Sequence, residues 1–264
     1  MIQSHRVEIE DKVTLNYLSE GEGEISVLLF NGAGSPLTTW NAVAERLVPR
    51  YRVIRFDQRN AGDTAAEGTF TLLDTARDAA ALLQSLRISE VIAVGHAWGG
   101  RAAQVFARDY PHLVSKLVVC GTGGQLPAND PQQLMKKMAG ARKSGDRSAW
   151  EDAVAGMFCA PGFPESEPET FRQICDAIWS RTQTANARWD PAVAPSASYW
   201  GMARQRTLLI YGTEDRQGTP ENARDLASRL EHAKLEFVAN AGHFVIGEQP
   251  AQVAKLISDF IGSP

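Results

Sequence analysis

The 264-residue sequence predicts an α/β fold: a mostly parallel central sheet with helices on both faces and a helical insertion. Three observations carry that reading. Short apolar runs alternate with helix-spaced segments from about residue 25 to 122, the rhythm of βαβ units. Two further strand-like runs, Arg206–Gly212 and Leu235–Ala239, each lead into a helical pattern. Between these blocks, from about 125 to 202, strand signals vanish and helical spacing takes over. The predicted organisation is a core of residues 1–124 and 203–264 and a helical cap of residues 125–202.

Taken in order, Arg6–Leu18 alternates apolar and polar residues and predicts an antiparallel pair with its partner near Ile25. Val27–Phe30 is continuously apolar, as a strand covered on both faces must be. Asp74–Leu86 sets Ala76, Ala79, Leu82, Leu83 and Leu86 mostly on one helical face. Val91–Val94 predicts a strand, Arg101–Arg108 a helix and Lys116–Cys120 another strand. In the insertion, Leu134–Ala141, Ala149–Phe158 and Thr170–Ala185 are the helical candidates. Its large side chains, Trp150, Met157, Phe158, Phe163, Phe171, Trp179, Trp189, Tyr199 and Trp200, either form its own core or line an apolar pocket, and most are needed for the core. Pro220 opens a helix after Arg206–Gly212, and Gln252–Ile261 is amphipathic.

Composition excludes several classes. A formal net charge of −4 provides no basic face for nucleic acid. Apolar runs stay short of the roughly 18 residues of a membrane span, and the first residues lack a signal peptide's pattern, so a cytoplasmic protein without a membrane partner is expected. Cys120, Cys159 and Cys175 show no Cys-x-x-Cys spacing, and no pair of histidines has metal-ligand spacing. Gly32-Ala33-Gly34 lacks the third glycine of a dinucleotide loop. Neither a metal nor a cofactor is expected. The sequence leaves a homo-oligomer open.

The chemistry is concentrated in three segments. Gly95-His96-Ala97-Trp98-Gly99-Gly100 follows the strand Val91–Val94, with small residues two before and two after Ala97. A sharp strand-to-helix turn that exposes a central nucleophile demands that spacing. Asp215, in Gly212-Thr213-Glu214-Asp215-Arg216, and His243, in Ala241-Gly242-His243-Phe244, each lie just past a strand, at the carboxyl edge where open sheets put their sites.

The chain order of elbow, acid and histidine resembles the α/β-hydrolase fold, in its capped esterase, lactonase and carbon–carbon hydrolase form. The resemblance covers essentially the whole chain. It places Ala97 at the nucleophile position, Asp215 as the acid and His243 as the base. Asn31-Gly32-Ala33-Gly34 resembles the family's His-Gly-x-Gly loop, so the N–H groups of Ala33 and Trp98 would form the oxyanion hole. Asp57–Thr64 resembles the loop after the next strand. Three residues depart from the pattern: Ala97 for Ser, Asn31 for His and Asn60 for Gly.

The resemblance implies a small-molecule acyl substrate: a carboxylic ester, a lactone or a ring-cleavage product. Ala97 divides the reading three ways. The chain is a serine hydrolase inactivated at residue 97, a natural His–Asp dyad enzyme with lyase, oxygenase or water-attack chemistry, or a ligand-binding pseudoenzyme. The first is the expectation carried forward.

Overall fold

A computed structural model describes residues 4–9, 13–66, 70–124, 132–179 and 198–263. Strands β1 (His5–Glu8), β2 (Thr14–Glu20), β3 (Ser26–Phe30), β4 (Arg52–Phe56), β5 (Val91–His96), β6 (Val114–Cys120), β7 (Arg206–Gly212) and β8 (Ala233–Val238) form an eight-stranded sheet. Their order is β1-β2-β4-β3-β5-β6-β7-β8. β1 and β2 run antiparallel to their neighbours, and β4 through β8 pair in parallel.

The order corrects one expectation. The partner of β2 is not a strand near Ile25: β2 pairs with β1 and with β4, Tyr17 opposite Phe56. The segment after Ile25 is β3, held between β4 and β5. The chain leaves β3 through a crossover helix, and the strand that follows takes the position beside β2. The next strand, β5, goes to the other side of β3. Strand order therefore reverses at β3, and a crevice forms outside the carboxyl ends of β3 and β5.

Alternation along β3 explains its unbroken apolar run. Leu28 and Phe30 face one core layer with Ala102, Ala103 and Phe106 of α3 (Trp98–Asp109) and Leu82 and Leu83 of α2 (Leu72–Ser85). Val27 and Leu29 face the other, with Val43 and Leu47 of α1 (Asn41–Leu47) and Val253, Ile257 and Phe260 of the C-terminal helix, Pro250–Gly262. α2 starts at a capping box in which Thr71 and Asp74 satisfy each other's backbone N–H groups.

Between β6 and β7 the described residues form four helices: α4 (Gln132–Ser144), α5 (Arg147–Phe158), α6 (Phe163–Ser166) and α7 (Pro168–Trp179). Among the described residues, Trp150, Val154, Cys175 and Ile178 form a cluster with Phe171 and Trp179, separate from the two layers on the sheet. Tyr199 and Trp200 instead join the main core, where Trp200 Nε1 donates to Asp225 at 2.7 Å. Trp189 and the end of the helix expected to reach Ala185 lie outside the described residues. Among those described, no helix is long and apolar enough to cross a membrane. The three cysteines are free and buried, and burial pushes their thiols up, that of Cys175 to about 12.

Candidate active site

Ala97 links β5 to α3 with φ 53° and ψ −117°, a conformation L-residues rarely adopt, and its side chain is partly exposed. The turn is held by backbone packing that only glycine permits. A Cβ on Gly95 would lie 2.2 Å from the Gly99 carbonyl oxygen, and one on Gly99 would lie 2.3 Å from those of Phe30 and Asn31. The Ala97 N–H donates to the Cys120 carbonyl at 2.9 Å. Its own carbonyl accepts from Gly100 N at 3.1 Å and Thr122 Oγ1 at 3.0 Å. None of these contacts involves the side chain at 97.

Asp215 and His243 meet beside this turn. His243 Nδ1 lies 3.2 Å from both carboxylate oxygens of Asp215, whose side chain is fully buried. Gln217 N and Gly218 N donate to Asp215 Oδ1, each at 2.8 Å, and fix the carboxylate's orientation. A carboxylate accepts only, so Nδ1 carries the imidazole proton and Nε2 keeps its lone pair. The adjacent Glu214 is occupied elsewhere, accepting from Ala241 N at 3.0 Å. Gly121, at φ 53°, joins the parts: a Cβ there would sit 3.1 Å from Asp215 Oδ2, one residue along from the carbonyl that holds Ala97.

The histidine loop is held by polar contacts. His96 Nε2 donates to the His243 carbonyl at 2.7 Å. The Phe158 carbonyl, at the end of α5, accepts from His243 N at 2.6 Å and Phe244 N at 3.4 Å, and the Phe158 ring lies 5.6 Å from the imidazole. Glu248 accepts from Gly242 N at 3.0 Å and from Ala160 N at 2.7 Å, joining the histidine loop to the insertion. Burial pushes this carboxyl from its ordinary 4.5 to about 7, against the two donors that lower it. Arg216, next to Asp215, donates to the Gly156 carbonyl on α5.

The loop after β3 lies against the elbow: a Cβ on Gly32 would be 3.7 Å from Ala97 Cβ. Asn31 anchors it, its Nδ2 donating to the carbonyls of Phe56 at 2.9 Å and Ser35 at 3.2 Å. Ala33 is exposed beyond Gly32, and Trp98 opens α3. The first N–H groups of a helix lack intrahelical acceptors and suit an anion. Asn60 stands at φ 60°, the left-handed region where glycine is favoured and asparagine is the best substitute, and its Oδ1 accepts from Ala66 N at 3.0 Å.

The profile of the alpha/beta hydrolase family matches residues 27–256. The chain belongs to the alpha/beta hydrolase family. It is 26% identical over 261 residues to a poly(3-hydroxyalkanoate) depolymerase of Ectopseudomonas oleovorans, covering 97% of this chain and 91% of the relative. It is 27% identical over 256 residues to a 2-hydroxy-6-oxo-2,4-heptadienoate hydrolase of Pseudomonas putida, covering 90% and 89%. The enol-lactonase of Burkholderia xenovorans superposes with a TM-score of 0.84 at 21% identity, over 98% of this chain and all of that one (100%). Within this alpha/beta hydrolase, the fold brings Ala97, Asp215 and His243 to one sheet edge, with the loop of Ala33 beside the start of α3. Glu248 and the Phe158 carbonyl were not singled out in the sequence. The available signal was a carboxylate in the otherwise apolar stretch Phe244-Val245-Ile246-Gly247-Glu248.

Proposed function

We propose that the site acts on an acyl compound, a carboxylic ester, a lactone or a carbon–carbon ring-cleavage product, in the manner of a Ser-His-Asp hydrolase whose Ser position is Ala97. The observation that carries the reading is the Asp215–His243 pair at 3.2 Å beside an elbow held open by Gly95 and Gly99. Asp215 holds the imidazole tautomer, and His243 Nε2 is the base. The N–H groups of Ala33 and Trp98 would meet the tetrahedral oxyanion. A hydroxyl at residue 97 would attack the acyl carbon and pass its proton to His243, which would hand it to the departing alcohol or carbon leaving group as the tetrahedral intermediate collapses to a covalent ester; water deprotonated by His243 would then hydrolyse that ester. Ala97 has no hydroxyl, so this chain forms no acyl-enzyme there. Losing such a nucleophile lowers turnover by about a millionfold, with about a thousand- to ten thousandfold over water retained by binding and oxyanion contacts. The insertion acts as the cap over the substrate.

The test is hydrolysis of ester and lactone panels by the chain and by its Ala97→Ser variant, with a fluorophosphonate label. Turnover and labelling confined to the variant supports the reading. A variant serine that neither labels nor accelerates hydrolysis overturns it.

A second reading, a natural dyad enzyme in which His243 deprotonates water or the substrate directly, is favoured by the other two departures. Asn31 and Asn60 each use one side-chain atom to anchor their loop, Nδ2 in the first and Oδ1 in the second, so both departures have a place in the structure as they stand. It requires that His243→Ala abolish a native activity in the chain with Ala97 intact. Unchanged turnover on that substrate sinks it.

A further inference from the structure

β8 ends the strand order, with β7 on one side and, among the described residues, no strand on the other. Its bonds to β7 show which backbone groups are already paired. The carbonyls of His232 and Val238 accept from Thr207 N at 2.9 Å and Thr213 N at 3.0 Å, so the even-numbered residues turn their N–H and C=O groups toward the sheet. Alternation leaves those of Ala233, Leu235 and Phe237 on the outer side. The side chains of these three are partly buried against one core layer, while Lys234 and Glu236 pair with each other on the opposite face, 3.0 Å apart. A run of outward backbone groups beside partly exposed apolar residues is a template for another strand.

We propose that β8 pairs with the β8 of a second copy of this chain, antiparallel, about a two-fold axis at Leu235. Outward residues must oppose outward residues for the edges to bond, which leaves few registers. With the axis at Leu235, that residue meets its own copy and Ala233 meets Phe237, all as hydrogen-bonded pairs. Lys234 then meets Glu236 twice over, in the non-hydrogen-bonded positions where side chains come closer. Moving the axis by one residue sets Lys234 on Lys234 or Glu236 on Glu236, and like charges directly opposite are destabilising. The run Lys234-Leu235-Glu236 therefore selects its register by charge, and the two-fold contact satisfies both copies alike. Size agrees with charge: Phe237 carries the Arg224 guanidinium 5.2 Å over its ring and faces the smallest side chain of the strand, Ala233. The other edge of the sheet offers less. β1 bonds inward through its odd-numbered residues, Ile9 N donating to Val13 O at 2.9 Å, and turns only Arg6 and Glu8 outward.

The test is sedimentation velocity of the chain as given, over a dilution series in the micromolar range. A species of twice the 28.8 kDa of one chain is expected. Lys234→Glu and Glu236→Lys should each weaken self-association at least about tenfold, because two attractive cross-strand pairs become repulsive. An equimolar mixture of the two variants should dimerise like the parent, because every lysine then meets a glutamate across the axis. That mutual pairing also shows both variants to be folded. Ala233→Pro lies at the first residue of an edge strand, where proline is tolerated, and removes an outward N–H while leaving every bond to β7; it too should weaken the dimer. A monomer at every concentration overturns the proposal. So does a dimer that either charge reversal or Ala233→Pro leaves intact, which would put the contact elsewhere, and so does a mixture of the two folded charge variants that stays monomeric.

Discussion

The elbow and the histidine loop are the two halves of the candidate site, and they are held by different physics. The elbow is fixed by backbone contacts at distances no Cβ tolerates, with hydrogen bonds to Ala97 that ignore its side chain. The histidine loop is fixed by polar groups: His96, the Phe158 carbonyl and the buried carboxylate of Glu248. The first is therefore indifferent to what residue 97 carries and to pH. The second depends on the insertion being docked and on a carboxyl that titrates near neutrality.

The strongest way to break the comparison is Gly99→Ala. Its methyl would need to displace the backbone of β3, and a loss of about 3 kcal/mol or more is expected in urea unfolding at any pH. A loss under about 1 kcal/mol would show that the elbow yields and that packing does not set it.

Glu248→Gln probes the other half. A carboxyl raised from 4.5 to about 7 in the folded state contributes stability below pH 4.5 that is lost as pH climbs through 7, about 3 kcal/mol in all. The difference in unfolding free energy between parent and Gln variant should change by about that amount from pH 4 to 8, the parent losing relative ground. A constant difference across that range would mean that Glu248 does not titrate in it.

Asn31→Ala is next in size. It leaves the buried carbonyls of Phe56 and Ser35 without their side-chain donor, with an expected cost of about 1–3 kcal/mol. Asn31→His, the family's residue, should recover part of it if the side chain is an anchor; recovery of none would point to a shape requirement instead. Smallest is Ala97→Gly, which relieves the left-handed conformation at some cost in chain entropy, for a net gain of about 1 kcal/mol. A loss of stability would mean that the alanine methyl is a packing group.

The sequence showed the elbow clearly because its requirements are local: an apolar strand, then glycines at fixed spacing. Asp215 and His243 were legible from chain order and from their positions just past strands. What stayed hidden is long-range. The placement of β4 between β2 and β3 depends on how crossovers pack, which alternation within Arg6–Leu18 does not encode. Glu248 meets Ala160 across 88 positions and His96 meets His243 across 147, and no periodicity links such pairs. α4, α5 and α7 were readable because each sends apolar residues into one cluster, and the four-residue α6 was not; the docking of α5 on the histidine loop runs through backbone carbonyls, which carry no sequence signature.

The indifference of the elbow to its central side chain bears on ancestry and descent. Alanine and serine codons of the GCN and UCN sets differ by a single base. The costly part of an exposed elbow side chain, a backbone forced to φ 53° and ψ −117°, is already in place at residue 97. A lineage carrying this chain could gain or regain a hydroxyl there by a point mutation, without refolding the neighbourhood. On the proposed reading, the chain stands one base change from a serine at the elbow, in either direction.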